Sequence, residues 1–319
     1  MDSLLFALNT TMPVFLTMAF GILLRRSGIM NAEFASKVNT FVFKIALPFN
    51  LFIQLSPMDF FKTWDTKFVL FCFLTTAASI AIAWIIAQFC IEPSVRGEFV
   101  QASYRSSASL LGLAYIQNMY GNGAMGGLMI LGSVPLYNIA AVLILELLRP
   151  GNQRDAQNLS ISRKLPHLLL EVVTNPIILG VMAGFLWSVL RLPLPAVLEK
   201  TCRNISQTAT PMGLIAMGAT LEPQKIRGKL GPSLLASALK LFGFAVLFTP
   251  LAVLLGFRTE KLIACLVMFG SAATFSGYVM ARNMGHEGTL SQTVVILTTL
   301  LSAFTLTIFI WLLRGMALL

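Results

Sequence analysis

The chain contains little charge, little cysteine and little histidine. Only 11% of its 319 residues are charged, compared with roughly 25% in a typical soluble protein, and 56% are hydrophobic. The two histidines stand apart, and the four cysteines lack the paired spacing of a disulfide framework or a zinc site. No polar segment is long enough to form a soluble domain. These absences argue against a soluble protein and a metal site, and they indicate a membrane protein.

What the chain does contain is a series of apolar runs, each about as long as a bilayer-crossing helix, which needs about 20 residues. They predict ten transmembrane helices, at residues 3–24, 37–56, 67–90, 98–118, 124–148, 166–190, 195–220, 230–254, 260–282 and 290–313.

Residues of the first half recur in the second half at two nearly constant offsets. An offset of 163 relates Pro13, Gly21 and Pro48 to Pro176, Gly184 and Pro211, and an offset of 165 relates Gly112, Asn118, Met119 and Gly123 to Gly277, Asn283, Met284 and Gly288. Each copy holds five spans, and because five is odd the second copy enters the membrane with the opposite orientation. The sequence thus predicts an all-α membrane protein of two inverted five-helix repeats, 1–148 and 166–319, joined by a cytoplasmic linker at 149–165.

The orientation follows from the distribution of lysine and arginine between the loops. One side of the membrane receives twelve of these residues and the other side eight. The richer side is expected to be cytoplasmic, which places both termini outside a cytoplasmic (inner) membrane of the bacterial type. The net charge of +10 is spread over short loops, so an anionic lipid surface is the expected partner and a nucleic acid is not.

Ionisable residues inside predicted spans indicate function, and here they are mainly basic: Lys44, Arg105 and Lys240. The fourth span is the most polar, because Arg105 stands among Ser103, Ser106, Ser107 and Ser109. Arginine and serine hydroxyls together can bind a carboxylate, which favours an anionic substrate. In the alternative interpretation, Arg105 extends to the cytoplasmic surface and the serines permit close helix packing. For Lys240, a structural role is favoured over substrate contact.

The ninth span repeats this theme with small and polar residues: Ser271, Thr274, Ser276, Gly277 and Tyr278. One such segment in each half is typical of interrupted helices whose ends attract an anion, so helices 4 and 9 are predicted to be broken and to cross. Ordinary small-residue packing is the alternative.

Breaks are expected at Pro48, Gly112, Pro211 and Gly277. Asn50 and Thr210 are predicted to line the resulting gap, although Thr210 could instead bond the carbonyls that the proline frees. The predicted substrate-binding residues are Asn50, Arg105, Ser106, Ser107, Ser109, Thr210, Ser271, Thr274, Ser276 and Tyr278.

Three stretches give the chain a family resemblance that extends over almost its whole length. They read FVFKIALP at 41–48, RSS at 105–107 with LGL at 111–113, and PMGLIAMGATL at 211–221. With these the chain resembles the auxin efflux carrier family, which includes bacterial malate and malonate permeases and the plant PIN carriers. The resemblance implies a crossed-helix core like that of bile-acid and sodium/proton transporters, and transport of organic anions. Two departures stand at the crossing, where the family's usual Asn and Pro are Ser107 and Ala114, and its ninth-span proline is absent from Ala272-Ala273.

The function predicted is secondary active transport of small organic anions, mono- or dicarboxylates such as malate or malonate, by alternating access. The alternatives are a sodium-coupled carrier of larger organic anions and a membrane ligand sensor that does not transport. An intramembrane enzyme is disfavoured because no nucleophile–base pair or metal set is evident. No cofactor or metal is expected; the partners are the substrate anion, the bilayer and, as an open option, a second copy in a homodimer.

Overall fold

The structure, a computed structural model, describes residues 2–57, 65–108, 112–120, 124–150 and 174–319. Every regular element in these residues is helical, which confirms the predicted all-α class. In the first half, the α-helices are α1 (Asp2–Arg26), α2 (Ala32–Phe41), α3 (Leu47–Leu55), α4 (Thr66–Cys90), α5 (Arg96–Tyr104), α6 (Leu113–Tyr120) and α7 (Ala124–Leu147). In the second half they are α8 (Pro176–Val189), α9 (Ala196–Gln207), α10 (Ala209–Ala219), α11 (Pro223–Ala238), α12 (Phe244–Leu254), α13 (Thr259–Gly270), α14 (Phe275–Asn283) and α15 (Thr289–Gly315).

Two π-helical turns join consecutive α-helices without breaking the chain's helical course. The first, π1 (Val42–Ala46), connects α2 to α3, and the second, π2 (Leu239–Gly243), connects α11 to α12. Each contains one lysine, Lys44 in π1 and Lys240 in π2. Single π turns within α-helices are frequent at functional sites.

Within the described residues, five helices are long and apolar enough to cross a membrane, counting α2–π1–α3 and α11–π2–α12 as one helix each. The pair α13 and α14, bent by 41° at a short break, is a sixth if it forms one span. The chain is therefore a multi-pass helical membrane protein. The count of ten spans stays a prediction, and the first residues of its sixth span, 166–173, lie outside the described residues together with the linker 151–165.

Short polar side chains set where several helices begin. Asn31 accepts a hydrogen bond from the backbone N–H of Phe34 at the start of α2, and Asp65 does the same for Phe68 at the start of α4. Asn175 caps α8, whose first residue is Pro176. These side chains satisfy N–H groups that have no partner within the helix.

The helices pack as two bundles. The scaffold bundle consists of α1, α2, π1, α3, α8, α9 and α10, in which α1 packs on α10 and α3 packs on α8 and α9. The crossover bundle consists of α4 to α7 and α11 to α15, with α4 on α7, α11 on α15 and α13 on α7. The bundles meet where α14 lies against α2, π1 and α10, and where α1 lies against α15.

The four positions expected to break helices differ in where they lie relative to the helix ends. Pro48 is the second residue of α3, and the helix continues through it because the π turn precedes it. Pro211 lies in the first turn of α10, one turn after the division at Thr208. Gly112 immediately precedes α6, and the three residues before it, 109–111, lie outside the described residues.

The prediction that Gly277 breaks a helix is wrong, because this residue lies inside α14. The interruption precedes it, at 271–274. Gly277 has another function in the packing: its carbonyl accepts a hydrogen bond of 2.8 Å from the Gln101 side chain on α5.

Candidate substrate site

The structural centre of the crossover bundle is a pair of unwound segments that lie side by side. One is Arg105 to Ser107, after the end of α5, and the other is Ser271 to Thr274, between α13 and α14. The backbone N–H of Ser107 donates to the carbonyl of Ala272 at 2.9 Å. The hydroxyls of Ser106 and Ser271 lie 2.8 Å apart. The interruptions predicted for the fourth and ninth spans therefore lie side by side. The contact between these two unwound segments is the crossing.

Side chains supply the hydrogen bonds that the unwound backbone loses. Ser106 donates to the carbonyl of Met268 at 2.7 Å, and the Thr298 hydroxyl accepts from the N–H of Ala273 at 2.9 Å. Thr274 caps α14 by accepting from the N–H of Ser276 at 3.4 Å. Backbone groups inside a membrane must have such partners. The small hydroxyl residues therefore explain how the chain interrupts its ninth span without a proline there.

Arg105 is the first residue of its unwound segment and is only 4% exposed. Its guanidinium donates to the side-chain oxygen of Asn138 at 2.9 Å, to the hydroxyl of Ser276 at 3.1 Å and to the sulfur of Met280 at 2.7 Å. All three acceptors are neutral. Among the described residues no carboxylate pairs with Arg105, and its Nε has no hydrogen-bond partner.

The interpretation that Arg105 extends to the cytoplasmic surface disagrees with this geometry. Its side chain points into the protein, where it reaches α7 and α14, and it does not reach water beyond the bundle. A buried guanidinium is costly unless it is paired or fully hydrogen-bonded. Three of the five N–H donors of Arg105 are used and its Nε has no partner, so the guanidinium has capacity for a further acceptor.

A cavity of about 60 Å³ lies against Arg105, between the two bundles. At roughly 30 Å³ for each water, it has room for about two waters. The crossover bundle lines it with Arg105 to Ala108, Val134, Tyr137, Asn138 and Thr274 to Ser276, and the scaffold bundle lines it with Leu47, Asn50, Leu51, Gln54, Ile177 and Thr210.

The structure brings seven of the ten sequence-predicted residues to this cavity: Asn50, Arg105, Ser106, Ser107, Thr210, Thr274 and Ser276. Ser271 lies behind the crossing, where it is fully buried against Ser106. The Tyr278 hydroxyl bonds Thr220, and its ring lines a different cavity of about 210 Å³ beside Arg282 and Gln292. Ser109 lies outside the described residues.

Sequence reasoning missed Asn138, Tyr137 and Gln54. Asn138 orients the Arg105 guanidinium, and Gln54 donates to the side chain of Asn50, which in turn donates to Ser206. An asparagine in the middle of an otherwise apolar span was a signal for Asn138. Gln54 stands one turn after Asn50, so the two share a helix face.

Lys240 lies on the other side of the crossing and lines no part of this cavity. It is fully buried, and its ammonium donates to the carbonyl of Phe269 at 2.9 Å, to the hydroxyl of Ser106 at 3.1 Å and to the carbonyl of Met268 at 3.2 Å. All three of its N–H donors are thus used. By contrast, Lys44 in π1 is exposed.

The membrane-spanning helices and the cavity beside a buried cation suit a membrane transport protein, and the sequence comparison assigns the chain to that class. A family model described as membrane transport protein matches residues 6–310. The chain belongs to the auxin efflux carrier family, a family of transporters rather than enzymes. A search of curated proteins gives no significant match. Among the described residues, no three His, Cys, Asp or Glu side chains lie together as a metal site would require.

Proposed function

We propose that this carrier transports small organic anions, mono- or dicarboxylates such as malate or malonate. The observation that carries the proposal is Arg105, a buried cation beside a cavity, without a carboxylate partner among the described residues and with a free Nε. Guanidinium groups bind carboxylates through parallel, charge-assisted hydrogen bonds. A carboxylate in the cavity would supply the charge that the protein does not.

The other polar groups of the cavity suit the same ligand. Ser107, Thr274 and Ser276 provide hydroxyls on the crossover bundle, and Asn50 provides an amide on the scaffold bundle. Their hydrogens can turn toward the second carboxylate or the hydroxyl of a substrate such as malate. The volume of about 60 Å³ favours such small anions over larger ones.

Alternating access in this class commonly rests on inverted repeats, and the crossing supports that arrangement here. Ser106 and Ser271, whose hydroxyls bond each other, stand 165 residues apart in the chain. Ser107 and Ala272, which share a backbone hydrogen bond, have the same separation. This is also the offset between the repeated glycines of the sequence. Equivalent residues of two copies contact each other when a pseudo-two-fold axis passes between them.

We infer that the crossover bundle carries the bound anion while it moves against the scaffold bundle. The only charged group at the cavity among the described residues, Arg105, belongs to the crossover bundle, whereas the scaffold bundle contributes uncharged side chains. From the lysines and arginines of the loops we infer that the carrier lies in a cytoplasmic membrane of the bacterial type, with both termini outside.

Uptake of labelled malate and malonate into proteoliposomes tests the proposal. Arg105→Ala should abolish uptake, and Arg105→Lys should retain only part of it, because an ammonium keeps the charge without the planar fork. Arg203→Ala is the matched control, since Arg203 is exposed on α9 and pairs with Glu199. Uptake by Arg105→Ala at the rate of the control would remove Arg105 from the mechanism.

Thermal shifts of the purified protein with a panel of carboxylates separate transport from sensing. Stabilisation by an anion without any flux would make the protein a membrane sensor. Uptake that requires external sodium, and fails in potassium, would instead favour the sodium-coupled alternative.

A further inference from the structure

The environment of Lys240 is built from neutral oxygens. Its ammonium contacts the Ser106 hydroxyl and the carbonyls of Met268 and Phe269. Those two carbonyls belong to the last turn of α13, the half-helix that ends at the crossing. The last carbonyls of a helix have no partner within it and carry the negative end of the helix dipole. A cation is therefore stabilised where Lys240 lies.

Transporters with interrupted helices often meet this requirement with a bound ion. Half-helix C-terminal ends and unwound carbonyls coordinate sodium or protons in several of their folds. The oxygens near Lys240 are of the type that a hard monovalent cation takes. They number three, and the Ser271 hydroxyl lies 2.8 Å from one of them, that of Ser106.

Lys240 is also connected to the substrate cavity through one residue. Ser106 lines the cavity and accepts from Lys240. The same hydroxyl donates to Met268 and contacts Ser271, so it links both unwound segments. A change at Lys240 is therefore transmitted through Ser106 to the unwound segment that contains Arg105.

We propose that the Lys240 ammonium is a tethered cation that fills a monovalent-cation position behind the crossing. It satisfies the C-terminal end of α13, so the carrier needs no sodium at this position. Lys240 is a positioning residue, since it shapes the crossing and does not touch the substrate cavity.

Removal of the ammonium should convert the position into a site for a free cation. Lys240→Ala leaves the oxygens in place and opens the space of the outer side chain. The purified variant should have a lower Tm than the wild type in choline chloride. Sodium chloride at the same ionic strength should restore part of the loss, saturably, by about 2–4 °C at ten times the Kd. Lithium and potassium chloride reveal the size preference of the site.

Two controls separate a cation site from a general loss of packing. Lys240→Met fills the volume without a charge, so it should be destabilised and indifferent to the choice of cation. The wild type should also be indifferent, since its position is already filled. Lys240→Ser, which adds an oxygen ligand, is a second responsive variant if Lys240→Ala is not recovered in folded form.

Uptake extends the test to function. Lys240→Ala should transport poorly in choline and recover with the cation that stabilises it, a rescue that a purely structural residue would not show. The inference is overturned if no alkali cation raises the Tm of the alanine and serine variants. It is also overturned if an alkali cation raises the Tm of the wild type and of Lys240→Met by the same amount. The uptake measurement rests on the proposed transport function, whereas the thermal measurement needs no substrate, so failure of one proposal is distinguishable from failure of the other.

Discussion

The two helix bundles differ in how closely their helices approach one another at glycine and in how much charge they bury. In the scaffold bundle, helices meet through backbone approaches at glycine: a Cβ on Gly218 would lie 2.0 Å from the carbonyl oxygen of Met18, and one on Gly180 would lie 2.6 Å from that of Pro48. In the crossover bundle, buried polar side chains bridge the helices. Among the described residues, the buried charged groups Glu98, Arg105, Glu146 and Lys240 all belong to this second bundle.

The difference matches the work that each bundle does at the cavity. Close backbone contacts leave the scaffold little freedom to rearrange, which suits a fixed wall. Buried charges in the crossover bundle are costly and are kept where a site requires them. Within that bundle the comparison repeats on a smaller scale, since Lys240 has all its donors satisfied while the Nε of Arg105 has no partner.

The largest effect is expected from filling a scaffold contact. Gly218→Ala places a methyl group against the backbone of α1, which cannot yield without separating the helices, and should destabilise the protein by about 1–3 kcal/mol. Gly228→Ala on α11 is the matched control, because nothing lies within 4 Å of its Cβ position and no proline follows it. There the higher helix propensity of alanine should stabilise by up to about 1 kcal/mol. The Tm of the purified variants should move in opposite directions, and equal shifts would contradict the contrast between the bundles.

An intermediate effect is expected at the buried carboxylate of the crossover bundle. Glu98 accepts from the backbone N–H groups of Gly288 at 2.8 Å and Ser291 at 2.9 Å, and so caps α15 from α5. Glu98→Gln replaces one acceptor with an NH₂ group, which leaves a buried N–H without a partner and should cost about 1–2 kcal/mol. Hydrogen exchange should then rise at the start of α15. The exposed Glu92→Gln is the control, and identical exchange in the two variants would remove Glu98 as a structural cap.

The smallest effect is expected from an ion pair at the edge of the crossover bundle. Lys261 donates to Asp65, and this hydrogen bond, with the cap on Phe68, lowers the pKa of Asp65 below its usual value near 3.8. A lowered carboxyl pKa contributes stability above the unfolded pKa and loses it as pH falls through the folded one. Asp65→Asn keeps the cap and removes the charge, at a cost of up to about 1 kcal/mol near pH 7.

The gap in Tm between the wild type and Asp65→Asn should therefore close as pH is lowered toward 3, and it should narrow at high salt. A gap that is constant with pH would mean that the pair contributes nothing electrostatic.

Much of this architecture can be predicted from the sequence because it depends on the length of apolar runs and on short motifs. Apolar run length gave the helical membrane class and the family motifs gave the transporter family, both of which are confirmed. The clustering of Arg105 with serines, and of Thr274 with Ser276, led to five residues of one cavity, and the prolines near Asn50 and Thr210 led to two more. The misplacement of the break at Gly277 has a plain cause: glycine permits an interruption but does not require one, and here the helix begins before it, at Phe275 after the Thr274 cap.

Asn138 and Lys240 illustrate what the pattern could not give. Arg105 bonds residues 33 and 175 positions away, and Lys240 bonds residues 28 and 134 positions away. No periodicity within a helix carries information about such partners. Lys44 and Lys240 both lie in π turns, and the sequence around them does not distinguish their exposure. In the structure, Lys44 is exposed and Lys240 is fully buried.

The sequence by itself determined that the protein is helical, lies in a membrane and carries more basic than acidic charge within its spans, because composition and run length fix how a chain partitions between water and lipid. Only the tertiary structure decided which cation is satisfied and which is free, because that depends on which distant oxygens the packing of helices brings within hydrogen-bond distance of each.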